Sequence, residues 1–166
     1  MNNIYLIGMM GCGKSTCGRL LAEKLGRRLV DTDRLIVERA GKSVSDIFAA
    51  EGEETFRDLE TQVCRAIGRE RNLIVATGGG LPLRAENRAL LRESGTVVFL
   101  HRDPAEIYDS ADMSGRPLGQ QGRAAFLGRF AERLPIYRAC AHLEILDFST
   151  VERTVAEILT KLEEMP

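Results

Sequence analysis

Short, largely apolar runs alternate along the chain with longer segments in which apolar residues recur every three or four positions. The short runs are typical of strands and cover residues 4–7, 28–31, 73–76, 96–101 and 142–146. Most of them are apolar throughout rather than alternating, as strands buried on both faces of a parallel sheet are. The pattern therefore predicts five buried parallel strands.

The longer segments are typical of amphipathic helices. Residues 14–25 and 53–70 each place their leucines and other large apolar residues on one face. The last segment begins at Ser149, which with Glu152 forms a capping box, and extends to about residue 164. Because strands and helices alternate, we expect an α/β fold in which helices cover both faces of the sheet.

The composition is that of an ordinary soluble domain, with 166 residues, 44% hydrophobic and 28% charged. We expect one domain spanning residues 1–166. The net charge of −1 offers no excess of positive charge to attract nucleic acid or a membrane surface. Neither a secretory signal nor a run of membrane-spanning length is seen, so we expect a cytoplasmic protein, and we take a monomer as its state.

The four cysteines carry no metal-site spacing, since none forms a C-x-x-C pair and no histidine cluster accompanies them. Cys17, Cys64 and Cys140 fall in apolar helical segments and are predicted to be core residues. Cys12 lies in a glycine-rich loop, where it is either a thiolate activated by a helix N-terminus or a small residue that fills a turn.

Residues 8–15 read Gly-Met-Met-Gly-Cys-Gly-Lys-Ser and match the phosphate-binding motif G-x-x-x-x-G-K-[ST] between a predicted strand and a predicted helix. The glycines allow backbone N–H groups to turn toward a phosphate, and the helix N-terminus adds partial positive charge. A lysine here suits the β- and γ-phosphates, and a hydroxyl suits Mg²⁺. The motif predicts that a nucleotide binds to Gly11, Cys12, Gly13, Lys14, Ser15 and Thr16; the alternative is a glycine-rich turn without a ligand.

The ends of the second and third strands carry further candidate chemistry. Asp31 and Asp33 are two residues apart on an extended chain, so both side chains point the same way, at the edge of the sheet where ligands bind. One could face a Mg²⁺ shell and the other a substrate hydroxyl; alternatively, both cap the next helix. Gly78, Gly79 and Gly80 indicate close approach of the backbone to a ligand, or a flexible loop.

One long stretch, residues 110–122, contains three glycines and one proline and has few large apolar residues. A loop of this length inside a compact domain is usually functional or disordered. We expect it to be a mobile lid.

Taken together, these motifs resemble the shikimate kinase family. Its pattern includes residues 8–15, 31–33, 78–80, 116–118 and 133–137, with Phe48, Phe56 and Arg57, in the same order and spacing over residues 4 to about 146. The resemblance implies the fold of nucleoside monophosphate kinases, with strand order 2-3-1-4-5, a substrate-binding region at about residues 32–60 and the lid. It also implies Mg²⁺-dependent transfer of the ATP γ-phosphoryl group to the 3-hydroxyl of shikimate, a step of aromatic amino-acid biosynthesis that yields shikimate 3-phosphate and ADP.

The resemblance also implies roles for individual residues. Lys14, Asp33 and Arg116 would be catalytic, with Asp33 orienting or deprotonating the acceptor hydroxyl and Arg116 coming from the lid. Asp31 would hold a water of the Mg²⁺ shell, beside Ser15. The acid would contact two carboxylate-binding arginines, three glycines with free N–H groups and two aromatic side chains: Arg57, Arg133, Gly78, Gly79, Gly80, Phe48 and Phe56. Without the resemblance, Arg57 could equally pair with Glu60 on a solvated helix face.

The sequence departs from the family at two positions. The arginine that usually stacks on adenine falls at Asp109, which leaves Tyr108 as a speculative substitute, and Gly119 replaces a usual leucine in the lid. Two other functions therefore stay open. One is a kinase for another small hydroxy acid, such as gluconate, and the other is a nucleotide-binding regulatory module that has lost catalysis.

Overall fold

The structure is a computed structural model that describes residues 2–110 and 121–166. Its centre is a sheet of five parallel strands in the order β2-β3-β1-β4-β5, as the resemblance implies. The strands are β1 Asn3–Ile7, β2 Arg28–Asp31, β3 Leu73–Ala76, β4 Gly95–Leu100 and β5 Leu143–Ile145. The predicted strands are confirmed, with boundaries that differ by one residue at most.

Helices cover both faces of this sheet, as predicted. They are α1 Lys14–Leu25, α2 Thr32–Ala40, α3 Val44–Gly68, α4 Ala85–Ser94, α5 Pro104–Ser110, α6 Arg123–Cys140 and α7 Val151–Glu163, with a 3₁₀ turn at Leu81–Leu83. Helix α1 packs against α7, and α3 packs against α4. None of the described helices is long and apolar enough to cross a membrane.

The core lies where the pattern places it, with β1 and β3 fully buried. The exceptions are β2 and β5, most of whose residues are exposed or half-buried because each is an edge strand with a neighbour on one side only. Cys17, Cys64 and Cys140 are buried, as predicted. Burial raises the pKa of the Cys64 thiol to about 12, so this thiol is protonated and inert at neutral pH.

Two predicted helix starts are wrong. Helix α3 begins at Val44, not near residue 53, and passes through a kink at Gly52, where φ is 86° and ψ is 170°. Helix α7 is capped by Thr150, whose side chain accepts a hydrogen bond from the Arg153 N–H at 3.1 Å. Ser149 instead donates its backbone N–H to Asp147, so the predicted capping box does not form.

Candidate active site

The loop between β1 and α1 is shaped as a phosphate cradle. Gly8, Gly11 and Gly13 have φ values of 147°, 79° and 101°, which residues with side chains rarely adopt. A Cβ at Gly8 would also lie 2.8 Å from the Leu100 carbonyl oxygen, so the loop lies tightly against the end of β4. The glycines of the motif are therefore required by the backbone itself.

Lys14 lies inside this loop and is only 8% exposed. Its ammonium donates hydrogen bonds to the carbonyl oxygens of Gly8 and Met9 at 2.7 and 2.8 Å. Cys12 is 2% exposed and accepts a third, weaker contact from Lys14 at 3.8 Å. Cys12 therefore fills the turn as a small buried residue, and the one positive charge of the loop is held where phosphate oxygens would enter.

Ser15 and Asp31 come together at the mouth of the loop. The Ser15 hydroxyl donates to Asp31 Oδ2 at 3.0 Å, while Asp31 Oδ1 accepts from the Arg34 N–H at 3.2 Å and caps α2. The two interpretations of Asp31 are therefore compatible, because one oxygen caps the helix and the other faces the phosphate loop. Hydroxyl and carboxylate oxygens are ligands that Mg²⁺ prefers.

A cation at this position would need further ligands from outside the protein. In the described part of the chain, no three His, Cys, Asp or Glu side chains are grouped as metal ligands. Mg²⁺ in proteins typically has few protein ligands and completes its coordination with waters and substrate phosphates. Ser15 and Asp31 alone are therefore enough protein ligands for a Mg²⁺ that is bound together with a nucleotide. The recess over the loop has about 580 Å³ of space and is lined by both residues, together with Lys14 and Thr16.

A second cavity of about 210 Å³ adjoins this recess, and the two share Met10, Asp33, Gly78 and Gly79. It brings together every predicted acid-binding residue: Asp33, Phe48, Phe56, Arg57, Gly78, Gly79, Gly80 and Arg133. The walls come from α2, α3, α6 and the segment that follows β3. Residues far apart in sequence thus meet at the carboxyl ends of the strands.

Asp33 lies in the first turn of α2, close to the glycine segment. The Gly78 N–H donates to the Thr32 hydroxyl at 2.9 Å, which ties the end of β3 to the start of α2. A Cβ at Gly78 would lie 2.5 Å from Asp33 Oδ1, so only glycine allows this approach. The Asp33 carboxylate is therefore held at the boundary between the two cavities.

Arg57 forms the i,i+3 ion pair with Glu60 that the sequence suggests, but both side chains are buried rather than solvated. Its Nη1 donates to Glu60 Oε1 at 2.5 Å, and its Nη2 lies 3.3 Å from the exposed Glu53. The guanidinium also stands over the Phe56 ring, 5.4 Å from the centroid, and occupies the space a Cβ at Gly80 would need. A solvated helix face is thus ruled out, because Arg57 is 9% exposed and points into the cavity.

Glu60 also lines the cavity, and the sequence analysis missed it. It has no exposed surface, and within the described residues its Oε2 has no hydrogen-bond partner. Burial, opposed mainly by Arg57 and assisted by the Asp33 charge, raises the pKa of Glu60 from 4.5 to about 7. Its spacing of three residues from Arg57, one helical turn, is the feature of the sequence that could have indicated that Glu60 also lines the cavity.

Arg133 faces the cavity from α6 and is 3% exposed. Its Nη1 lies 3.5 Å from where a Cβ of Gly79 would be, opposite the Arg57 side. Its Nε has no hydrogen-bond partner in the described part of the chain. Two buried guanidinium groups, those of Arg57 and Arg133, therefore face one small cavity. Arg129 and Gln121 also line this cavity and were not predicted from the sequence.

Phe48 and Phe56 meet across the kink in α3. Their ring centroids are 4.9 Å apart, tilted by 43°. The extended backbone turn at Gly52 separates them in the chain and lets both rings face the cavity. They give the cavity an apolar wall, against which the Arg57 guanidinium packs.

The predicted lid and Arg116 lie outside the described residues, except for the ends of the segment at Ser110, Gln121 and Gly122. Asp109, which stands where the family usually has its adenine-stacking arginine, forms an ion pair with Arg123 at 3.1 Å. The Tyr108 ring packs against Phe126 with centroids 5.5 Å apart. Both residues are thus engaged in joining α5 to α6.

The model of the family described as shikimate kinase matches residues 10–163. The chain belongs to the shikimate kinase family. A shikimate kinase of Symbiobacterium thermophilum is 47% identical over 98% of this chain and 97% of its own length.

Solved structures agree with this family membership. A shikimate kinase from Acinetobacter baumannii in complex with shikimate shares 37% identity and a TM-score of 0.91, covering 99% of this chain and 94% of its own. A gluconokinase from Sinorhizobium meliloti, covering 98% and 92%, has 21% identity and a TM-score of 0.60. The gluconokinase likeness shows a shared fold and nothing more.

Proposed function

We propose that this chain transfers the γ-phosphoryl group of ATP to the 3-hydroxyl of shikimate, giving shikimate 3-phosphate and ADP. The observation that carries the proposal is the cavity beside the phosphate loop, in which Arg57 and Arg133 face Asp33. Two guanidinium groups suit a carboxylate, and a carboxylate suits ring hydroxyls. A small carboxylated polyol fits this set of groups.

On the phosphate side, Lys14 would exchange the carbonyl oxygens of Gly8 and Met9 for the β- and γ-phosphates. Its ammonium is already held in the loop by these two carbonyl oxygens, which accept its hydrogen bonds. When bound, Mg²⁺ neutralises charge on the phosphates. Ser15 would hold it directly and Asp31 through a water, while Gly11, Cys12, Gly13 and Thr16 complete the cradle.

On the acceptor side, Arg57 and Arg133 would bind the carboxylate of the acid and fix its position. Asp33 would accept a hydrogen bond from the reacting hydroxyl and orient it toward the phosphate recess. A loose transition state needs little early deprotonation, so orientation is the larger contribution. Arg116 from the lid of residues 110–122 would then stabilise charge on the transferred group, in the manner of an arginine finger.

The nucleoside base needs a site that does not depend on an arginine at position 109. A recess of about 490 Å³ lies at the carboxyl ends of β4 and β5, next to the strand that bears the phosphate loop. Leu146 and Phe148 line it, and Leu146 is 64% exposed. We propose that apolar cover from these two residues takes the place of the usual stacking arginine.

We also propose that the protein acts in the cytoplasm as a monomer and takes no nucleic-acid or membrane partner, in keeping with its net charge of −1.

A coupled assay of ADP release tests the proposed reaction. We expect turnover with MgATP and shikimate, and only background with gluconate or without an acceptor. Turnover with gluconate at a similar kcat/KM would favour the broader hydroxy-acid kinase. Nucleotide binding without turnover on either acid would favour the regulatory module.

A further inference from the structure

Tyr137 lies on α6, one turn after Arg133, and takes no part in the roles described above. Its side chain is fully buried, and its ring packs on Phe99 of β4 with centroids 5.1 Å apart. The phenol hydroxyl donates a hydrogen bond to the Gly79 carbonyl oxygen at 2.6 Å. A buried aromatic ring thus places one hydroxyl against the backbone of the acid-binding cavity.

The other polar groups of the glycine segment are bound within the backbone or to Thr32. The carbonyl of Gly78 accepts from the Leu81 N–H, the carbonyl of Gly80 accepts from the Leu83 N–H, and the Gly78 N–H donates to Thr32. The described part of the chain supplies no acceptor for the N–H groups of Gly79 and Gly80. These two donors are therefore available to a ligand in the cavity that both residues line.

The hydrogen bond from Tyr137 controls how one of these donors points. The carbonyl of Gly79 and the N–H of Gly80 belong to the same planar peptide unit, on opposite sides of it. Glycine permits rotations of this peptide that other residues would resist. A hydroxyl that fixes the carbonyl therefore fixes the direction of the Gly80 N–H.

The same hydroxyl contacts the phosphate loop. Met9 Sδ lies 3.6 Å from the Tyr137 hydroxyl and 4.0 Å from Arg133 Nη1. Tyr137 and Arg133 are four residues apart and hence on one face of α6. One contact set thus joins the phosphate loop, the glycine segment and the carboxylate-binding arginine.

We propose that Tyr137 is a positioning residue for the acceptor acid, because its hydroxyl holds the Gly79–Gly80 peptide so that the Gly80 N–H faces the acid beside Arg57. The inference rests on the proposed shikimate kinase function. Burial raises the pKa of the phenol to about 12, so the hydroxyl remains a donor across the physiological range.

The test compares Tyr137→Phe with Tyr5→Phe. The control is matched, because Tyr5 is 1% exposed and its hydroxyl makes a 2.6 Å hydrogen bond to Ser94, away from both cavities. We expect Tyr137→Phe to raise KM for shikimate about three- to tenfold, the loss of one hydrogen bond. KM for ATP should change less than twofold. Tyr5→Phe should leave both KM values at their original level while lowering the melting temperature comparably.

An unchanged KM for shikimate in Tyr137→Phe would overturn the inference, as would an equal rise in both variants. If Tyr137→Phe is too unstable for kinetics, shikimate binding is titrated calorimetrically at a lower temperature at which circular dichroism shows both variants folded. The same three- to tenfold difference is expected there. Failure of the proposed function is distinguishable, because the unmodified enzyme would then show no shikimate-dependent ADP release.

Discussion

At the scale of single residues, the site is governed by how Arg57 and Glu60 share a buried position. The buried Glu60 carboxylate is no longer solvated by water, and its single ion pair with Arg57, at 2.5 Å, does not fully compensate for the lost solvation. Desolvation wins, so the pKa of Glu60 rises from 4.5 to about 7. The protein therefore keeps a carboxyl group that titrates near neutral pH beside Arg57, the arginine proposed to bind the acid.

This raised pKa predicts a pH dependence of stability. The folded state binds the Glu60 proton more tightly than the unfolded chain, so its contribution to stability falls as pH rises from about 4.5 to about 7. Glu60→Gln should remove this slope, which amounts to at most about 1.4 kcal/mol per pH unit. Denaturant unfolding between pH 4.5 and 8 measures it. Glu86→Gln is the control, because Glu86 makes an exposed ion pair with Arg65, and this variant should keep the slope. Parallel curves of stability against pH for Glu60→Gln and the unmodified protein would contradict the assignment.

The two buried arginines of the cavity, Arg57 and Arg133, should differ in the effect of their removal. Arg133→Ala is expected to weaken shikimate binding about ten- to a hundredfold, the loss of a charge-assisted hydrogen bond of roughly 1.5–3 kcal/mol, and to spare ATP binding. Arg57→Ala would in addition leave Glu60 without its ion-pair partner, so it is best tested with Glu60→Gln.

Titration calorimetry with each ligand checks the arginine prediction. Arg65→Ala is the control, because Arg65 lies on the same helix as Arg57 but makes only an exposed pair with Glu86. Equal losses of affinity for both ligands in Arg133→Ala would assign that residue to folding rather than to binding.

At the scale of elements, the kink in α3 determines the shape of the cavity. Gly52 combines φ 86° with ψ 170°, a conformation essentially confined to glycine. Apart from its chain neighbours and its own helix backbone, none of the described residues lies within 4 Å of a Cβ built there, so the cost of a side chain would come from the backbone conformation. The kink is what brings the rings of Phe48 and Phe56 into contact.

Gly52→Ala should therefore lower both stability, by about 1–3 kcal/mol, and shikimate affinity. Gly41→Ala is a matched control, since Gly41 has φ 68° and equally open space but ends α2 away from the rings. Thermal unfolding should show a loss in both variants, and shikimate KM should rise in Gly52→Ala only. A parallel rise of KM in Gly41→Ala would mean that instability alone explains the effect.

The elements also show which features a sequence reveals. The five strands and the phosphate loop were predictable, because buried apolar runs and glycines with obligatory backbone angles leave local patterns. The start of α3 was not predicted: Val44, Ile47 and Phe48 do have helical spacing, but Gly52 interrupts the pattern before the longer apolar face begins. Glu60 was missed because its charge predicts exposure, and only the tertiary fold buries it against Arg57.

At the scale of the whole molecule, the two cavities belong to one folded state that ligands should stabilise. A ligand at a hundred times its Kd adds about 2.7 kcal/mol. In a chain of this size, about 1 kcal/mol shifts the melting temperature by roughly 2–4 °C. Shikimate and MgADP should thus each raise Tm by about 5–10 °C, and gluconate should not.

A variant in each cavity should lose the rise in melting temperature that one ligand causes and keep the rise that the other ligand causes. Arg133→Ala removes a cation that faces only the acid cavity, so it should lose the shikimate shift and keep the MgADP shift. Lys14→Ala removes the cation of the phosphate loop, so it should lose most of the MgADP shift, keep the shikimate shift and abolish most turnover. Differential scanning fluorimetry gives all four values, with circular dichroism confirming that each variant is folded. Loss of both melting-temperature shifts in either variant would show that the two cavities are not separate binding sites. It would contradict the assignment of acid binding to Arg133 on α6 and of nucleotide binding to the phosphate loop.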